Sequence, residues 1–408
     1  MVLGVEPLIE DRRDPKRSRV ALLIESSNAY GRGLLSGIID YLRCHESWSL
    51  YIPEQGRGDA PSPKLQAWNV DGMIARVENE AIAAAVRELN IPVVDVSAAR
   101  LLPDAPWVET DDSAIAQLAF DHLSERGYKN FAFVGDTKFN WSRWRAFGFR
   151  CCVEASSHRH FEFPLGHSVG AHRQPHLGTP TVPSGDESEE SLAAWLKSLP
   201  KPIGIVAAYD IKGQQILNLC RDLSISVPEE VSVLGIDNDP LICELCEPTM
   251  SSVIPDGRKA GYLAAELLDA LLSGRAGETT SQLIQPLSIH ARQSTDIHAI
   301  DDEIVAQSMK LIRKHACEGL TVTQLIESLP VSRRIFENRF QKAMGHTPHA
   351  EIVRVRMQRV KYLLARSDHS ISDIARMTGY AHDEYLSSSF KQLEGISPTQ
   401  YRQQNRRV

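Results

Sequence analysis

The sequence predicts a two-lobed α/β domain followed by an all-α domain. Short β-branched runs alternate with amphipathic segments from Val20 to about Gln293, and after about Thr295 only helical periodicity remains. The length of 408 residues also exceeds what one ordinary hydrophobic core organises, so two or three domains are expected.

Seven runs in the first part are typical of buried strands: 20–24 (VALLI), 49–53, 72–76, 91–96, 130–135, 203–208 and 231–236. The amphipathic segments between them are 34–42, 80–89, 114–125, 191–199 and 213–223. Continuous apolar strands separated by helices indicate parallel sheets covered on both faces. Their number fits two doubly wound lobes better than one. The stretch 156–185, which contains Pro, Gly and several histidines, is predicted to be a loop or crossover.

Composition restricts the class of protein. The chain is 42% hydrophobic and 24% charged, and it has no apolar run near the ~20 residues that a membrane helix needs. Residues 1–18 are charged before they are apolar, so we expect a disordered lead-in rather than a secretory signal. Seven cysteines without regular spacing fit reduced thiols and therefore a cytoplasmic protein.

Charge is distributed unevenly along the chain. Residues 300–408 contain 17 Lys and Arg against 12 Asp and Glu, a net charge of +5, whereas the rest carries 28 against 40, a net −12. A basic tail on an acidic body suggests that only the C-terminal part meets a polyanion. Chance variation of the surface is an equally good explanation of this asymmetry taken alone.

The C-terminal part contains one pattern twice, TVTQLIESLPVSRRIFENRFQKAMG and SISDIARMTGYAHDEYLSSSFKQLEG. Each copy predicts a short helix, a tight turn and a second helix, which is the helix-turn-helix arrangement whose second helix fits the ~12 Å major groove. Phe340 and Phe390 occupy equivalent positions. The helices are expected at 301–316, 321–329, 332–344, 348–366, 371–378 and 382–394, with the inward positions Leu325, Ile326, Phe336, Phe340, Ile371, Ile374, Leu386 and Phe390.

These signatures, with VRMQRVKYLL and GISPTQYR, closely resemble the AraC/XylS family of transcription regulators over the whole C-terminal domain. The resemblance implies two recognition helices in adjacent major grooves. It implies base reading by Arg334, Glu337 and Asn338 in the first helix, which Ser332 caps, and by His382, Asp383 and Ser388 in the second. Phosphate contacts are expected from Arg333, Arg339, Lys342 and Lys391. The second helix starts acidic and has no arginine on its reading face, so its base readout is expected to be weaker.

Glycines follow the first strand in ESSNAYGRGLLSG, and they raise the possibility of a dinucleotide site. A Rossmann unit places its first glycine directly after the strand, whereas here the six residues 25–30 intervene, with Glu54 as partial support about twenty residues on. The glycine pattern is therefore weak evidence for a nucleotide. We expect Gly33 and Gly37 to let the first helix pack closely against the sheet or another helix.

The body resembles the LacI/GalR type of periplasmic-binding-protein-like sensor through SSNAYGRGLLSGI, VETDDSAIAQLAFDHL, WSRWRAFGF, AAYDIKGQQIL and VSVLGIDND. The resemblance implies two lobes hinged around a small ligand. Its effector-binding positions map onto Asn28, Tyr30, Asp111, Trp141, Arg145, Asp210, Asp237 and Asn238. Carboxylates, amides, a bidentate arginine and aromatic faces suit a sugar. Helix capping is the alternative role for Asp111 and Asp210.

We therefore expect a sugar-responsive transcription regulator: a disordered lead-in over 1–18, an effector-binding domain over 19–294, a linker over 295–302 and an AraC-type DNA-binding domain over 303–408. The expected partners are operator DNA, a pentose such as D-xylose, RNA polymerase and a second copy of the chain, with no membrane, cofactor or metal. The alternatives are a Rossmann-like NAD-dependent or sugar-modifying enzyme, and a DNA-binding protein whose body only dimerises.

Two further patterns are interpreted as structural. Cys243-x-x-Cys246 has no partner pair to complete a metal site and no redox-fold context. Histidines 158, 160, 167, 172 and 176 are expected to be loop residues.

Overall fold

The computed structural model of the chain describes residues 17–45, 48–54, 56–59, 69–163, 188–275, 281–296 and 302–405. They form two compact units. The first is an α/β body that ends at Asp296, and the second is the helical domain after it together with two short segments, Arg126–Tyr128 and Ile225–Ser232. Thr295, the first residue of the expected linker, is buried in a 3₁₀ turn that spans Gln293–Thr295. The lead-in up to residue 16 and the histidines at 167, 172 and 176 lie outside the described residues.

Three sheets make up the described part of the body. The strands are β1 (Arg19–Leu23), β2 (Ser49–Tyr51), β3 (Gly72–Ala75), β4 (Val93–Asp95), β5 (Val108–Thr110), β6 (Asn130–Val134), β7 (Arg159–Phe163), β8 (Ile203–Ala207), β9 (Val231–Ile236), β10 (Ser251–Ile254), β11 (Gln282–Ile284) and β12 (Ser288–His290). The first sheet has the order β2-β1-β3-β4 and is parallel. The second has the order β12-β10-β9-β8-β6-β7, with β12 antiparallel to β10, and β11 pairs in parallel with β5.

The helices of the body are α1 (Ala29–Cys44), α2 (Glu80–Leu89), α3 (Asp112–Ser124), α4 (Asn140–Ala155), α5 (Glu189–Ser198), α6 (Asp210–Asp222), α7 (Pro240–Leu245) and α8 (Gly257–Leu272). The helical domain contains α9 (Glu303–His315), α10 (Val322–Glu327), α11 (Arg333–Met344), α12 (Pro348–Arg366), α13 (Ile371–Met377), α14 (Asp383–Glu394) and α15 (Pro398–Asn405). None of the helices in these described ranges has the length and apolarity that crossing a membrane requires.

Strand β1 shows why apolar runs indicate a sheet covered on both faces. Val20 and Leu22 point into the core that contains α1 and α8, whereas Ala21 and Leu23 point into the opposite core with α2. All four side chains are at most 2% exposed. Since successive residues of a strand face opposite sides, both faces need apolar residues.

The glycines of α1 have a packing role. A Cβ on Gly37 would lie 1.9 Å from the carbonyl oxygen of Arg258 in α8, and one on Gly261 would lie 2.0 Å from the carbonyl oxygen of Leu34. The helices therefore approach backbone to backbone. A Cβ on Gly33 would lie 3.4 Å from the Cα of Gly257, which is an ordinary contact distance, so the approach of α8 does not require glycine there. The expectation of close packing is therefore confirmed for Gly37, where the neighbour is a helix, and not for Gly33.

The predicted fold class is confirmed, and each of the seven expected runs contains a strand. The prediction of a loop throughout 156–185 was wrong, because Arg159–Phe163 forms β7 at the edge of the second sheet. Polar residues interrupt the apolar ones in β7, so the strand was not recognised as an apolar run. The second sheet is also not wholly parallel, since β12 closes its other edge in the antiparallel sense.

The duplication in the helical domain is visible in its burial. Phe336 and Phe340 in α11 are fully buried, as are Leu386 and Phe390 fifty residues later in α14. Both helices end at a glycine in the left-handed region, Gly345 and Gly395, each with φ of 76°. The six expected helices are present, although the first ends at His315 before a short 3₁₀ turn, and α15 was not expected.

Candidate functional site

A polar cavity lies at the carboxyl ends of strands in the α/β body. Arg76 follows β3, Ser97 lies just beyond β4, Thr110 ends β5 and Asp237 follows β9. This edge is where open α/β folds bind ligands. The lining residues are Tyr30, Arg57, Arg76, Val96, Ser97, Ala98, Glu109, Thr110, Trp141, Arg145 and Asp237.

Arg76 is shared by two buried carboxylates, Glu25 and Glu78, and it makes a very short contact with each. Burial would raise the pKa of Glu25, but Arg76 and a hydrogen bond from Asn28 outweigh it and lower that pKa. Burial prevails at Glu78 and raises its pKa in spite of Arg76. A buried charge is tolerated only when it is paired, so this wall is a fixed array of ion pairs.

Arg145 forms a second array. Its Nε donates to Asp112 Oδ1 at 2.8 Å and its Nη1 to the carbonyl oxygen of Ala208 at 2.7 Å. Burial raises the pKa of Asp112 to about 6 although Arg145 opposes the shift. The nearest oxygen of Asp237 is 4.0 Å from Nη1 of Arg145, beyond hydrogen-bond range.

Asp237 stands in an unusual backbone conformation. Its φ is 108° and that of the next residue, Asn238, is 49°. Burial raises the pKa of Asp237 in spite of nearby Arg145, Arg57 and Arg76. Non-glycine residues keep such dihedral angles only where the surrounding structure imposes them, often at ligand sites.

Aromatic rings form the remaining wall. Phe139 stacks on Trp141 with centroids 5.3 Å apart, and Tyr209 meets Trp141 edge-on at 5.6 Å. The Arg57 guanidinium carbon lies 4.9 to 5.6 Å from the three ring centroids. The Tyr30 hydroxyl and Trp141 Nε1 are buried without a hydrogen-bond partner among the described residues. An apolar surface therefore presents two unused polar atoms.

The wall side chains approach one another closely. The cavity measures about 20 Å³, which is room for a water molecule. Any larger ligand must be admitted by movement of the surrounding side chains or lobes. Arg57, whose side chain is 16% exposed, is the lining arginine with the most access to solvent.

Four of the eight expected effector residues line the cavity: Tyr30, Trp141, Arg145 and Asp237. Asn28 instead caps α1, where its Oδ1 accepts from the Gly31 amide at 2.8 Å. This hydrogen bond uses the Gly31 amide, which a phosphate bound at the N-terminus of α1 would need as a donor.

The other three expected residues also stabilise loops or helix ends. Asp111 caps α3 by accepting from the amides of Ser113 and Ala114 at 3.0 Å, and it is Asp112, one residue on, that meets Arg145. The carboxylate of Asp210 accepts from the Asp239 amide and the Ser252 hydroxyl, both at 2.6 Å. Asn238 Oδ1 accepts from Arg292 Nη1 at 2.9 Å.

Sequence reasoning missed Arg57, Arg76 and Glu109. Arg76 directly follows a predicted strand, so a search for charged residues at strand ends could have found it. Arg57 lies in a loop that has no comparable signal, and Glu109 lies within β5, which is too short to be recognised.

Cys243 and Cys246 are buried within and directly after α7, and neither forms a disulfide. Burial raises the pKa of both thiols, that of Cys246 to about 11. They are therefore protonated at neutral pH and poor nucleophiles, in keeping with a structural role.

The helical domain presents the first recognition helix, α11, to solvent. Arg334, Asn338 and Lys342 are exposed there. Ser332 occupies the N-cap position, but its side chain makes no capping hydrogen bond. Arg333 Nε pairs with Glu337 Oε1 at 2.9 Å, which leaves both side chains on the same exposed face.

Arg339 is placed differently from the other expected contacts of α11. It forms a two-point ion pair with Asp302, at 2.6 and 2.8 Å, and Asp302 caps α9. The Arg339 side chain thus connects α11 to the start of α9. Its expected contact with a DNA phosphate stays a prediction.

The second recognition helix, α14, exposes Asp383, Ser388 and Lys391, and His382 at its N-cap is also exposed. By the fifty-residue repeat, Glu384 takes the place of Arg334, and Ser388 that of Asn338. The surface at the helix start is therefore acidic in the second motif and basic in the first.

Comparison with known proteins identifies the family. Models of the XylR N-terminal domain, a periplasmic binding protein-like domain and a helix-turn-helix domain match residues 19–113, 120–295 and 325–404. The "Xylose operon regulatory protein" of Escherichia coli (strain K12) is 34% identical over 402 residues, 96% of this chain and 99% of that protein. The chain belongs to the family of xylose operon regulatory proteins.

Other members agree with this assignment. The xylose operon regulatory protein of Haemophilus influenzae is 33% identical over 392 residues, 94% of this chain and 98% of that protein. A solved structure described as the "xylose-binding transcription activator xylR" matches with a TM-score of 0.77 and 32% identity, covering 96% of this chain and 100% of the other. The expected combination of an AraC-type helix-turn-helix domain with a periplasmic-binding-protein-like body is thereby confirmed. These relatives are described as operon regulatory proteins and as a transcription activator.

Proposed function

We propose that the chain binds a pentose, D-xylose in the first place, and responds by activating transcription from operator DNA. Residues 19–294 are proposed as the sensor and 303–408 as the DNA-binding domain. The names of these relatives support the choice of sugar and the activating role. We further propose that the chain acts in the bacterial cytoplasm as a homodimer that contacts RNA polymerase.

One observation carries the sugar proposal. Tyr30 and Trp141 line a cavity that also contains paired charges, and the Tyr30 hydroxyl and Trp141 Nε1 are buried without a partner among the described residues. A buried polar group left without a hydrogen bond costs about 1–3 kcal/mol, which a ligand hydroxyl can recover. The Trp141 ring offers an apolar face to the C–H groups of a sugar ring.

A structural connection supports coupling between sugar and DNA. Asn238 follows the cavity residue Asp237, and its side chain accepts a hydrogen bond from Arg292, which is 7% exposed. Arg292 directly precedes the buried turn ending at Thr295, where the body gives way to the helical domain. A change in the backbone conformation at Asp237 can therefore shift Arg292 and with it the turn at the end of the body.

Titration calorimetry with D-xylose tests sugar binding, with L-arabinose, D-glucose and NAD as comparison ligands. Tyr30→Phe removes the unpartnered hydroxyl and should weaken D-xylose binding by about tenfold. Tyr128→Phe is the matched control, since its hydroxyl already donates to the carbonyl oxygen of Pro228 at 3.0 Å. It should leave sugar affinity unchanged. Absence of binding by any pentose, or binding of NAD alone, contradicts the proposal.

The coupling is tested by measuring D-xylose affinity with and without operator DNA. Linkage requires each ligand to raise the affinity of the other by the same factor. Arg292→Met keeps the aliphatic stem and removes the hydrogen bond to Asn238, so it should preserve sugar binding while reducing that factor towards one. An unchanged factor in this variant would show that coupling takes another route.

A further inference from the structure

The helical domain has two separate hydrophobic cores. One surrounds Phe336 and Phe340 of the first motif (Val322–Met344), and the other surrounds Leu386 and Phe390 of the second motif (Ile371–Glu394). Helix α12 is common to both, with Ile352 in the first core and Met357 to Leu364 in the second. As far as apolar packing is concerned, the orientation of the two motifs relative to each other therefore depends on α12.

Arg356 adds a polar connection midway along α12. Its Nε donates to the carbonyl oxygen of Ala316 at 2.8 Å, and its Nη2 donates to that of Leu320 at 3.0 Å. These carbonyls belong to the turn between α9 and α10, which is anchored in the first core by fully buried Ala316. The guanidinium also lies 5.5 Å from the ring centroid of Tyr380, which precedes the second recognition helix.

Gly379 brings the second motif against the same turn. Its φ is +75°, and a Cβ there would lie 2.8 Å from the amide nitrogen of Gly319 and 2.9 Å from the carbonyl oxygen of Ala316. These neighbours are backbone atoms, which cannot rotate away. The turn inside the second motif is thus in direct contact with the turn that leads into the first.

We propose that Arg356, Gly379 and the Ala316–Leu320 turn form a clamp that fixes the separation and angle of the two recognition helices. Neither Arg356 nor Gly379 lies on a recognition helix, so both act as positioning residues. The spacing of half-sites on DNA mirrors the spacing of the reading elements in a protein. A rigid clamp therefore gives the domain selectivity for one half-site spacing, and a loose connection tolerates several.

The test uses the full chain and duplexes that the wild type selects from a random-sequence library. The selected duplex is then changed by one or two base pairs between its half-sites, and each half-site is also prepared alone. We expect Arg356→Met and Gly379→Ala to bind isolated half-sites within twofold of wild type. At the selected spacing they should lose about tenfold in affinity, because the second contact no longer benefits from preorganisation. In both variants the difference in affinity between the selected spacing and the altered spacings should become smaller.

Arg366→Met is the matched control, since Arg366 lies on the same helix and stacks on Tyr362 at 5.7 Å. It should retain the wild-type dependence on spacing. Arg356→Met adds no side-chain clash and keeps the test decisive if Gly379→Ala fails to fold. Wild-type spacing dependence in Arg356→Met overturns the clamp, as does equal loss on isolated half-sites or a wild type indifferent to spacing.

Discussion

The cavity of the body and the recognition helices use charge in opposite ways. In the cavity, Arg76 and Arg145 are about 6–7% exposed and held against carboxylates, whereas Arg334 and Lys342 on α11 are exposed to solvent. Paired charges in a buried site can orient a neutral polyol with little screening by salt. Exposed cations suit a polyanion and lose affinity as salt rises. The same residue type therefore predicts different chemistry according to its burial.

The largest effect is expected from Arg145→Met. It leaves Asp112 and Asp237 buried without their nearest cation, so the free energy of unfolding should fall by about 3–5 kcal/mol. Stabilisation by D-xylose should disappear as well. Urea denaturation with and without sugar measures both quantities. Arg334→Met, which removes an exposed arginine, should change stability by less than about 0.5 kcal/mol. Equal stability losses in both variants would contradict the contrast between buried and exposed charge.

The next effect separates the two motifs. Arg334→Ala should weaken operator binding by about 1–3 kcal/mol if the side chain reads a guanine edge. Glu384→Ala, at the equivalent position of the second motif, should leave affinity unchanged or raise it, because it removes an anionic side chain near the phosphates. Fluorescence anisotropy at one fixed salt concentration measures both. Equal losses would show that the acidic second helix reads bases as strongly as the first.

Lys342→Ala is expected to have a smaller effect. Loss of one phosphate contact should weaken binding to all duplexes alike and reduce the salt slope of log K by about 1. D-xylose affinity should show almost no salt dependence in either protein. Titrations from low to physiological salt provide the measurement. A steep salt dependence of sugar binding would contradict the difference between buried charges at the cavity and exposed charges on α11.

The smallest effect at neutral pH is expected from Asp210→Asn, whose consequence is a change in how stability depends on pH. Burial, with a contribution from Asp237, raises the pKa of Asp210 from 3.8 to about 8. The folded state thus holds a proton that the unfolded state releases, so stability should fall as pH rises from about 4 to about 8. Asp210→Asn should make this decline shallower at little cost at neutral pH. Melting temperatures across that range measure it, and parallel curves for both proteins would refute the shift.

Local periodicity predicted seven of the twelve strands of the described residues, and it predicted the duplicated motif. The continuous apolar run from Val20 to Leu23 requires a strand covered on two faces, and the repeat of Phe340 at Phe390 requires two similar helices, because both patterns depend on neighbours within one element. Of the eight effector positions inferred from the family resemblance, four line the cavity. The edge strand β7 was missed because its residues are not continuously apolar.

Only the tertiary structure decided which polar residues face the cavity. Asp111 and Asp112 are adjacent and chemically identical, yet one caps a helix and the other pairs with Arg145, since the direction of each side chain depends on segments far away in the chain. For Gly37 the sequence predicted a close approach, and only the structure shows that the neighbour is α8. A sequence determines what an element can be, and long-range packing determines what each side chain meets.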